Sequence, residues 1–455
     1  MILPSLAICF CLLTGSCGGG SSFVIGPPAP SQGEDPEEED PHETDPPATT
    51  ADPATLDNDA TRRTMEIGLG WNLGNNLDAY EEDPDDKDYL MPSETVWGNK
   101  PITQAALQKV RDAGFTSIRI PVTWLAKIGP APEYKIDAAW MARVTEVVGY
   151  AHNVGFKNVI VDTHHDEDHD DNHWQDLKNA ANNPALNKQI KEEIKAVWGQ
   201  IARNFANCGE WLMFEGFNEL NDGGWGHSSE FKANPYKQCN IINEWLQVFV
   251  DTVRESGGYN ETRWLGVSPY CGNPQFAKYL VFPNDPAHKL MLGVHFYDPS
   301  DYTLGKEGSD GKDYLPYSDW GHTSAPGKSA GKYNEDFVDQ TFSNLFYTYI
   351  ANNIPVYIGE TGCSMRALDD VRGCAFRKYY LEYVFKAARS WCLPCTLWDC
   401  GGKGVPGPEH HPYFKRDTGD YYDGAEDVVK TIVKAWCSDD PDYTLKSVYD
   451  SAPKL

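Results

Sequence analysis

Residues 212–220 read LMFEGFNEL, and residues 356–362 read VYIGETG. Each stretch begins with a short run dominated by apolar residues, which is typical of a buried β-strand. Each run leads into a glutamate, which is Glu219 in the first stretch and Glu360 in the second. The two stretches therefore predict two strands whose ends each carry a carboxylate.

The same pattern recurs from about residue 65 onward. A short apolar run is followed by a polar loop and then by a segment with helical periodicity, such as 102–113, which Gly114 closes as a C-cap, or 187–205. The candidate strands are 67–73, 117–121, 159–163, 212–217, 264–269, 291–296, 356–359 and 395–398. Eight strands separated by helices predict an α/β fold, a (β/α)8 TIM barrel with a single catalytic domain. A doubly wound open sheet is the alternative.

The residues that end these strands favour the barrel over the open sheet. Active sites of (β/α)8 barrels are assembled at the carboxyl ends of the strands. Six of the predicted strands end in a chemically capable side chain, namely Arg119, His164, Asn218 with Glu219, His295 with Tyr297, Glu360, and Trp398. Such a distribution is expected when several strands contribute to one site.

The two glutamates fit a specific chemistry. Retaining glycoside hydrolysis requires two carboxyl groups about 5–5.5 Å apart, one to protonate the leaving oxygen and one to attack the anomeric carbon. Predicted strands four and seven would supply Glu219 and Glu360. A glutamate at a strand end can also belong to a structural ion pair, so each motif alone is ambiguous, whereas the two together favour the catalytic interpretation.

The chain resembles glycoside hydrolase family 5 of the retaining barrel clan, and especially its bacterial endo-β-1,4-glucanases. The resemblance runs from about Met65 to Gly402. Its matching stretches are GWNLGNNLDA (70–79), ETVWGN (94–99), AGFTSIRIPVTW (113–124), VIVDTHHD (159–166), FEGFNE (214–219), GVHFYDP (293–299), IGETG (358–362) and LWDCGG (397–402). The resemblance implies endo-hydrolysis of β-1,4-linked glucan with retention of configuration at the anomeric carbon, and it implies no cofactor.

The resemblance also implies roles for individual residues. Glu219 is expected to be the acid/base and Glu360 the nucleophile, with Arg119 and Tyr297 hydrogen-bonded to Glu360 so that it stays ionised. His295 is expected to contact Glu219.

The remaining matched residues are expected to bind the sugar. Asn218 would hold its 2-hydroxyl group, His164 would bind it at the cleavage subsite with His165 alongside, and Trp398 would form the floor beneath it. Leu220 departs from the family pattern, in which Pro is common at this position, and this puts the shape of the loop in doubt more than the chemistry.

Further aromatic and amide residues have two interpretations each. Trp225, in the insert NDGGWGHSS (221–229), is either an aglycone-side platform or a plain surface residue. Asn75 and Trp97 either line the glycone side or pack the barrel mouth, as do Trp71 and Asp78, and for Trp71 packing is favoured. The chain's 14 Trp and 24 Tyr exceed what a core needs, and such a surplus often lines carbohydrate clefts.

The segment THHDEDHDDNH (163–173) has a composition that suggests a metal site. His164 and His165 are adjacent, so on a strand they would point to opposite faces, unlike the i, i+2 pairs of metal-dependent barrel hydrolases. We therefore expect no catalytic metal and a solvated acidic loop, with a calcium ion in that loop as the open alternative.

The N-terminal sequence predicts export. Residues 1–17 resemble a signal peptide of the lipoprotein type, with Thr14-Gly15-Ser16-Cys17 similar to a bacterial lipobox, and plain secretion is the alternative. Residues 18–60 predict a disordered, acidic linker. We expect the catalytic domain to cover 61–440 and a C-terminal tail, either a final short helix or loose, to cover 441–455. The protein would then be secreted or lie at the cell surface as an outer-membrane lipoprotein, held by a lipid anchor.

Charge and cysteine content restrict the partners. The formal charge is −28, and a strongly acidic surface repels phosphate backbones, so we expect a neutral β-glucan polysaccharide or oligosaccharide as substrate and no nucleic acid. We expect a monomer.

Nine cysteines follow Cys17, which fits an oxidising compartment, and Cys363–Cys374 and Cys239–Cys271 are the predicted bridges.

Three other functions remain as alternatives. One is a β-mannanase of the same family, since the loops around the subsites decide which glycan is cleaved. The second is a non-catalytic glycan-binding surface lipoprotein. The third is a metal-dependent amidohydrolase-type barrel, which would require activity that chelators abolish.

Overall fold

The computed structural model describes residues 51–83, 86–167, 173–309 and 311–454, and its centre is a closed barrel of eight parallel strands. The barrel strands are β1 (Gly70–Leu73), β2 (Ser117–Ile120), β3 (Asn158–Val161), β4 (Leu212–Glu215), β5 (Leu265–Val267), β6 (Leu290–Phe296), β7 (Val356–Thr361) and β8 (Cys395–Asp399). Each strand pairs with its neighbours in chain order, and β8 pairs with β1 to close the barrel. All eight predicted strands are confirmed, and the open-sheet alternative is wrong.

Helices surround the barrel. They are α1 (Asp59–Ile67), α2 (Gln104–Asp112), α3 (Ala138–Asn153), α4 (Leu177–Ala180), α5 (Pro184–Asn204), α6 (Ser229–Ala233), α7 (Tyr236–Glu255), α8 (Ser300–Thr303), α9 (Glu335–Thr348), α10 (Val371–Ser390), α11 (Ala425–Cys437) and α12 (Leu445–Asp450). Two small antiparallel sheets, Tyr80–Asp83 with Asp86–Pro92 and Lys306–Glu307 with Asp313–Tyr314, lie outside the barrel. Within the described residues, no helix is both long enough and apolar enough to cross a bilayer.

Local capping explains where the two predicted helices begin. Thr103 caps α2, because its hydroxyl accepts from the N–H of Ala106, so the helix starts two residues later than predicted. Asn183 caps α5 with Pro184 at the first helical position, so this helix starts three residues earlier than predicted. Between β5 and β6 the chain forms the short 3₁₀ segments Tyr270–Gly272 and Pro274–Tyr279 and no α-helix.

The core has two parts. The larger part lies between the strands and the surrounding helices, and a smaller cluster of Ile67, Ile160, Met213, Met291 and Tyr357 fills the barrel interior. Gly266 and Gly293 make room for the Tyr357 ring, since a Cβ at either position would collide with its hydroxyl. The Tyr357 hydroxyl can therefore lie in the barrel interior, beneath the carboxyl ends of the strands.

Both ends of the described chain pack against the barrel domain. The predicted linker ends at residue 60, but Leu56 packs against the core and the side-chain amide of Asn58 donates to the carbonyl of Ile350 at 2.7 Å. The predicted tail 441–455 contains α12, in agreement with the first of its two interpretations, a final short helix, and Val448 of this helix is 1% exposed in the core. Residues 1–50 lie outside the described residues, with the predicted signal peptide, Cys17 and most of the linker.

The cysteines do not form the predicted bridges. All nine cysteines of the described residues have free thiols, including both members of the predicted pairs Cys363–Cys374 and Cys239–Cys271. The Cys374 thiol donates instead to the carbonyl of Ala367 at 3.3 Å. Burial raises the pKa of the Cys239 thiol to about 12, so it is not a reactive thiolate at neutral pH.

Candidate active site

Two glutamates face each other at the carboxyl ends of the strands. One carboxylate oxygen of Glu219, one of Glu360 and a ring nitrogen of His295 all lie within 4.8 Å of one another. This spacing suits the roughly 5–5.5 Å of retaining glycosidases and not the 6.5–9.5 Å of inverting ones. The Glu219 side chain is 20% exposed and the Glu360 side chain 7%, so Glu360 is the more deeply placed of the two.

A β-bulge orients Glu360. The pairing of β7 with β6 shifts between Ile358, which pairs with Val294, and Glu360, which pairs with His295. The extra residue is Gly359, and a Cβ there would lie 3.2 Å from the Nε2 of His295. Bulges redirect side chains next to active sites, and here a glycine allows the His295 ring to approach the nucleophile's strand closely.

Arg119 holds three carboxylates in the floor of the site. Its guanidinium lies 2.6 Å from Glu360 Oε1, 2.7 Å from Glu215 Oε1 and 2.6 Å from Asp162 Oδ2. Arg119, Asp162 and Glu215 are fully buried. We refer to Arg119, Asp162, Glu215 and Glu360 as the Arg119 cluster. A buried charge requires partners of this kind, because its desolvation is otherwise not compensated.

The two glutamates differ in their acidity. Burial raises the pKa of both, but the positive charges of His295 and Arg119 outweigh burial at Glu360, so the pKa of Glu360 lies below its usual range. Burial prevails at Glu219, helped by the charge of Glu360, and the pKa of Glu219 is raised. Two carboxyl groups whose pKa values are shifted in opposite directions are suited to separate acid and nucleophile roles.

His295 and Tyr297 connect these groups. Nδ1 of His295 lies 2.6 Å from Glu219 Oε1 and 3.8 Å from Glu360 Oε2. Burial alone would lower the pKa of His295, but the carboxylates of Glu360 and Glu219 raise it above the ordinary value. The Tyr297 hydroxyl donates to Glu360 Oε2 at 3.0 Å. The predicted contacts of Arg119, Tyr297 and His295 are therefore all present.

A ring pair forms a wall beside the carboxylates. The His164 imidazole stacks on the Trp398 indole, with ring centroids 5.6 Å apart and planes at 9°. Nδ1 of His164 donates to Asp162 at 2.9 Å, while Nε2 faces Glu360 at 3.9 Å. Burial and the charge of Arg119 hold the pKa of His164 well below its usual range, so the ring is neutral and Nε2 is an acceptor.

Asn218 is held by two neighbours, and within the described residues one of its amide donors has no partner. Its carbonyl oxygen accepts from Arg119 Nη2 at 2.9 Å, and its NH₂ group donates to Glu167 at 3.1 Å. A side-chain amide has two N–H donors, so one remains for a ligand.

The other predicted residues take different places. Trp97 lies near the site, with ring centroids 5.4 Å from those of His165 and of Tyr80. Asn75 follows β1 and is half-buried, and among the described residues no hydrogen bond joins it to Glu219 or Glu360. Trp225 is 39% exposed, and within the described residues its indole has no ring partner. Trp71 is fully buried and donates to Asp399 at 3.0 Å, which confirms the packing role.

The argument that placed His164 and His165 on opposite faces of a strand is wrong. β3 ends at Val161, so both residues lie in the following loop, and their rings approach each other to 4.5 Å. One ligand atom each of Asp78, His164 and His165 lie within 4.8 Å of one another. Residues 168–172, the centre of the predicted acidic loop, lie outside the described residues.

Sequence reasoning missed the buried supports of the site. Asp162 and Glu215 form ion pairs with Arg119, and the Tyr357 hydroxyl donates a hydrogen bond to Glu215 Oε2 at 2.6 Å. Glu167 accepts from Asn218, and burial raises its pKa well above the usual value. A carboxylate inside an apolar strand, such as Glu215 in LMFEGF, was the signal that could have revealed this layer.

Comparison with known proteins agrees with this geometry. The model of the family described as cellulase (glycosyl hydrolase family 5) matches residues 78–404. Endoglucanase A of Paenibacillus barcinonensis is 32% identical over 361 residues, which are 76% of this chain and 84% of that protein. A xyloglucan-specific endo-β-1,4-glucanase of Bacteroides ovatus is 33% identical over 73% of this chain and 63% of its own length.

Solved structures show the same relationship. A native Bacteroidetes-affiliated cellulase of this family, linked with a polysaccharide utilization locus, superposes with a TM-score of 0.80 at 38% identity, covering 88% of this chain and 98% of that one. A broad-specificity endoglucanase from Bacteroides salanitronis gives a TM-score of 0.75 at 43% identity, covering 82% of this chain and 93% of its own. The match of the family model over most of the barrel, together with these relatives, shows that the chain belongs to glycosyl hydrolase family 5, the cellulase family.

Proposed function

We propose that the protein is an endo-acting, retaining β-glucanase that hydrolyses β-1,4-linked glucan through Glu219 and Glu360. The observation that carries this proposal is the close approach of the two carboxylates, together with the opposite shifts of their pKa values. Relatives named endoglucanase and xyloglucan-specific endo-β-1,4-glucanase support β-1,4-glucan as the substrate class and an endo mode of attack.

In the first step, Glu360 attacks the anomeric carbon while Glu219 gives its proton to the glycosidic oxygen. The charges of His295 and Arg119 keep Glu360 ionised, and Arg119 and Tyr297 also donate hydrogen bonds to its carboxylate. The raised pKa of Glu219 keeps a proton available for the leaving group. The bond between the anomeric carbon and the leaving oxygen breaks as the glycosyl ester with Glu360 forms.

In the second step, Glu219 has become a carboxylate and removes a proton from water, which attacks the anomeric carbon and releases Glu360. His295 can support both roles of Glu219, because its Nδ1 lies 2.6 Å from that carboxyl group. The sugar would lie against Trp398, with a hydroxyl donating to the neutral Nε2 of His164 and its 2-hydroxyl accepting from the free N–H of Asn218.

The test is reducing-sugar release and viscosity loss with carboxymethylcellulose, barley β-glucan, xyloglucan and glucomannan, in the presence of EDTA. We expect wild type to be active on at least one glucan, with viscosity falling before reducing ends accumulate. Glu360→Gln should be inactive but folded. The matched control Glu192→Gln, an exposed residue on α5, should behave as wild type.

Three results would contradict the proposal. Retained activity in Glu360→Gln would exclude the two-glutamate mechanism. Loss of activity in EDTA would point to a metal held by Asp78, His164 and His165. Binding of glucan without hydrolysis of any substrate would favour a non-catalytic glycan-binding protein.

The proposal extends to the cell surface. The lipobox-like sequence that ends at Cys17 and the acidic segment after it support a lipid-anchored enzyme displayed on the outer membrane. Fractionation of cells that express the full chain or Cys17→Ala tests this location. We expect wild type in the membrane fraction and the variant in the soluble fraction, and identical partitioning would refute the anchor.

A further inference from the structure

The loop that follows β3 carries a carboxyl group that takes no part in the two-step mechanism. Glu167 lies in this loop and is half-buried. Its Oε1 accepts a hydrogen bond from the side-chain amide of Asn218 at 3.1 Å and faces the backbone N–H of Glu219 at 3.5 Å, the upper limit for a hydrogen bond. Glu167 therefore joins the loop after β3 to the two active-site residues that follow β4.

The preceding residue holds this loop in place. The Asp166 carboxylate is fully buried and accepts from three donors, namely the backbone N–H groups of Trp124 at 2.9 Å and Leu125 at 2.7 Å and the Trp174 indole at 2.9 Å. Supports of this kind keep an active-site side chain in one orientation. The backbone on the N-terminal side of Glu167 is therefore held firmly enough to direct its carboxyl group toward Asn218.

The second oxygen of Glu167 indicates its protonation state. Oε2 is buried, and no donor among the described residues reaches it. A negative charge without a partner costs more in such a place than a neutral carboxyl group does. Burial is the main reason why the pKa of Glu167 lies well above its usual range, and the charges of Asp166 and Glu219 raise it further. The neutral form is therefore favoured, and it accepts from Asn218 without adding a negative charge beside Glu219.

Two contacts together fix the amide of Asn218. The Arg119 guanidinium donates to its carbonyl oxygen at 2.9 Å, which holds one end of the amide. That contact alone leaves the amide plane free to turn, and the hydrogen bond to Glu167 removes this freedom. Because the two N–H donors of a side-chain amide lie in one plane, the direction of the second N–H is fixed at the same time.

We propose that Glu167 is a positioning residue, which accepts from one N–H of Asn218 so that the other N–H points at the 2-hydroxyl group of the sugar being cleaved. The inference rests on the proposed function, in which Asn218 binds that hydroxyl. Hydrogen bonds to the 2-hydroxyl strengthen in the transition state of glycoside hydrolysis. A misdirected Asn218 amide should therefore lower kcat more than it raises KM.

The test uses two aryl β-cellobiosides, with and without the 2-hydroxyl group on the sugar that carries the aryl group. Its removal changes the intrinsic reactivity of the substrate equally for every variant. The ratio of the two kcat/KM values, relative to wild type, therefore reports the contact to the 2-hydroxyl. We expect Glu167→Ala and Glu167→Leu to lower this ratio about three- to tenfold, the effect of one weakened hydrogen bond. Glu167→Gln, which keeps an uncharged acceptor, should retain the wild-type ratio.

Two controls separate positioning from a general effect on the fold. In Asn218→Ala the amide is absent, so adding Glu167→Ala should leave the ratio unchanged, since changes that act through one contact are not additive. Glu193→Ala is the matched control on α5, because burial also raises the pKa of the Glu193 carboxyl group, to about 7. It should leave the ratio at the wild-type value.

The outcomes distinguish this inference from the proposed function. Equal losses on both substrates in Glu167→Ala, or the same change of ratio in the Asn218→Ala background, would show a merely structural role and overturn the inference. A ratio in Glu167→Gln as low as in Glu167→Ala would also overturn it, because Gln keeps the acceptor. Unchanged ratios in all Glu167 variants would overturn the inference and leave the proposed function standing, whereas inactivity of wild type on every glucan would overturn the proposed function itself.

Discussion

Removal of the Arg119 guanidinium is the most informative perturbation of the site. In Arg119→Met the carboxylates of Asp162, Glu215 and Glu360 lose the cation that lies 2.6–2.7 Å from each of them. Removing one partner of a buried ion pair typically costs about 3–5 kcal/mol, because the remaining charge stays desolvated. We expect the free energy of unfolding to fall by at least that amount at neutral pH.

The same change should alter the pH dependence of catalysis. The pKa of Glu360 is depressed in the folded protein by His295 and Arg119, so its stabilising contribution is present at neutral pH and is lost as the pH falls through that pKa. Without Arg119 the pKa of Glu360 rises. The acidic limb of the kcat/KM profile should therefore move to higher pH, and Arg119→Lys, which keeps the charge but not the fork of donors, should move it less.

The assay is a kcat/KM profile with an aryl β-cellobioside, together with denaturant unfolding. Arg254→Met is the matched control, because Arg254 forms a comparably buried pair with Asp285 at 2.7 Å on α7, which lies outside the barrel. It should destabilise the protein without moving the acidic limb. An unmoved limb in Arg119→Met, or equal shifts in both variants, would refute the view that Arg119 keeps Glu360 ionised.

Three further predictions concern other parts of the molecule. Glu219→Ala should reduce kcat/KM about 10²–10⁴-fold for cellulosic substrates and much less for activated aryl glycosides, because an activated leaving group needs little protonation; equal losses would contradict the acid/base role. His295→Gln removes a positive charge that lowers the pKa of Glu219 and Glu360, so both limbs of the pH profile should move upward, and an unchanged profile would exclude this coupling. Deletion of 441–455 should lower the free energy of unfolding, measured by denaturant titration, by about 1.5–3 kcal/mol from the burial of Val448 alone, whereas unchanged stability would restore the view of a loose tail.

The strand ends could be predicted because they depend on local patterns. Apolar runs gave all eight strands, and the residues at their ends converge since parallel strands of a barrel share one carboxyl edge. Arg119, Glu219 and Glu360 were identified in this way. Their mutual contacts followed from the family resemblance and not from spacing.

The supporting layer could not be derived from local patterns. Glu215 and Arg119 are 96 residues apart, and Tyr357 and Glu215 are 142 apart, so their pairing depends on barrel register. The orientation of His165 was mistaken because it depends on where β3 ends, at Val161. Strand ends and terminal boundaries are set by tertiary packing more than by local propensity.

The imbalance of charge in the barrel floor helps to explain how one site holds an acid beside a nucleophile. In the Arg119 cluster, three carboxylates form ion pairs with one guanidinium. The His164 ring beside the cluster is neutral, because its pKa lies well below the usual range. Glu360 lies in contact with the cation and therefore ionises readily. Glu219 lies beyond it, where burial and the charge of Glu360 favour its protonated form. The charge of His295 acts on both glutamates, whereas only Glu360 is in direct contact with the Arg119 guanidinium, and this contact distinguishes the nucleophile from the acid.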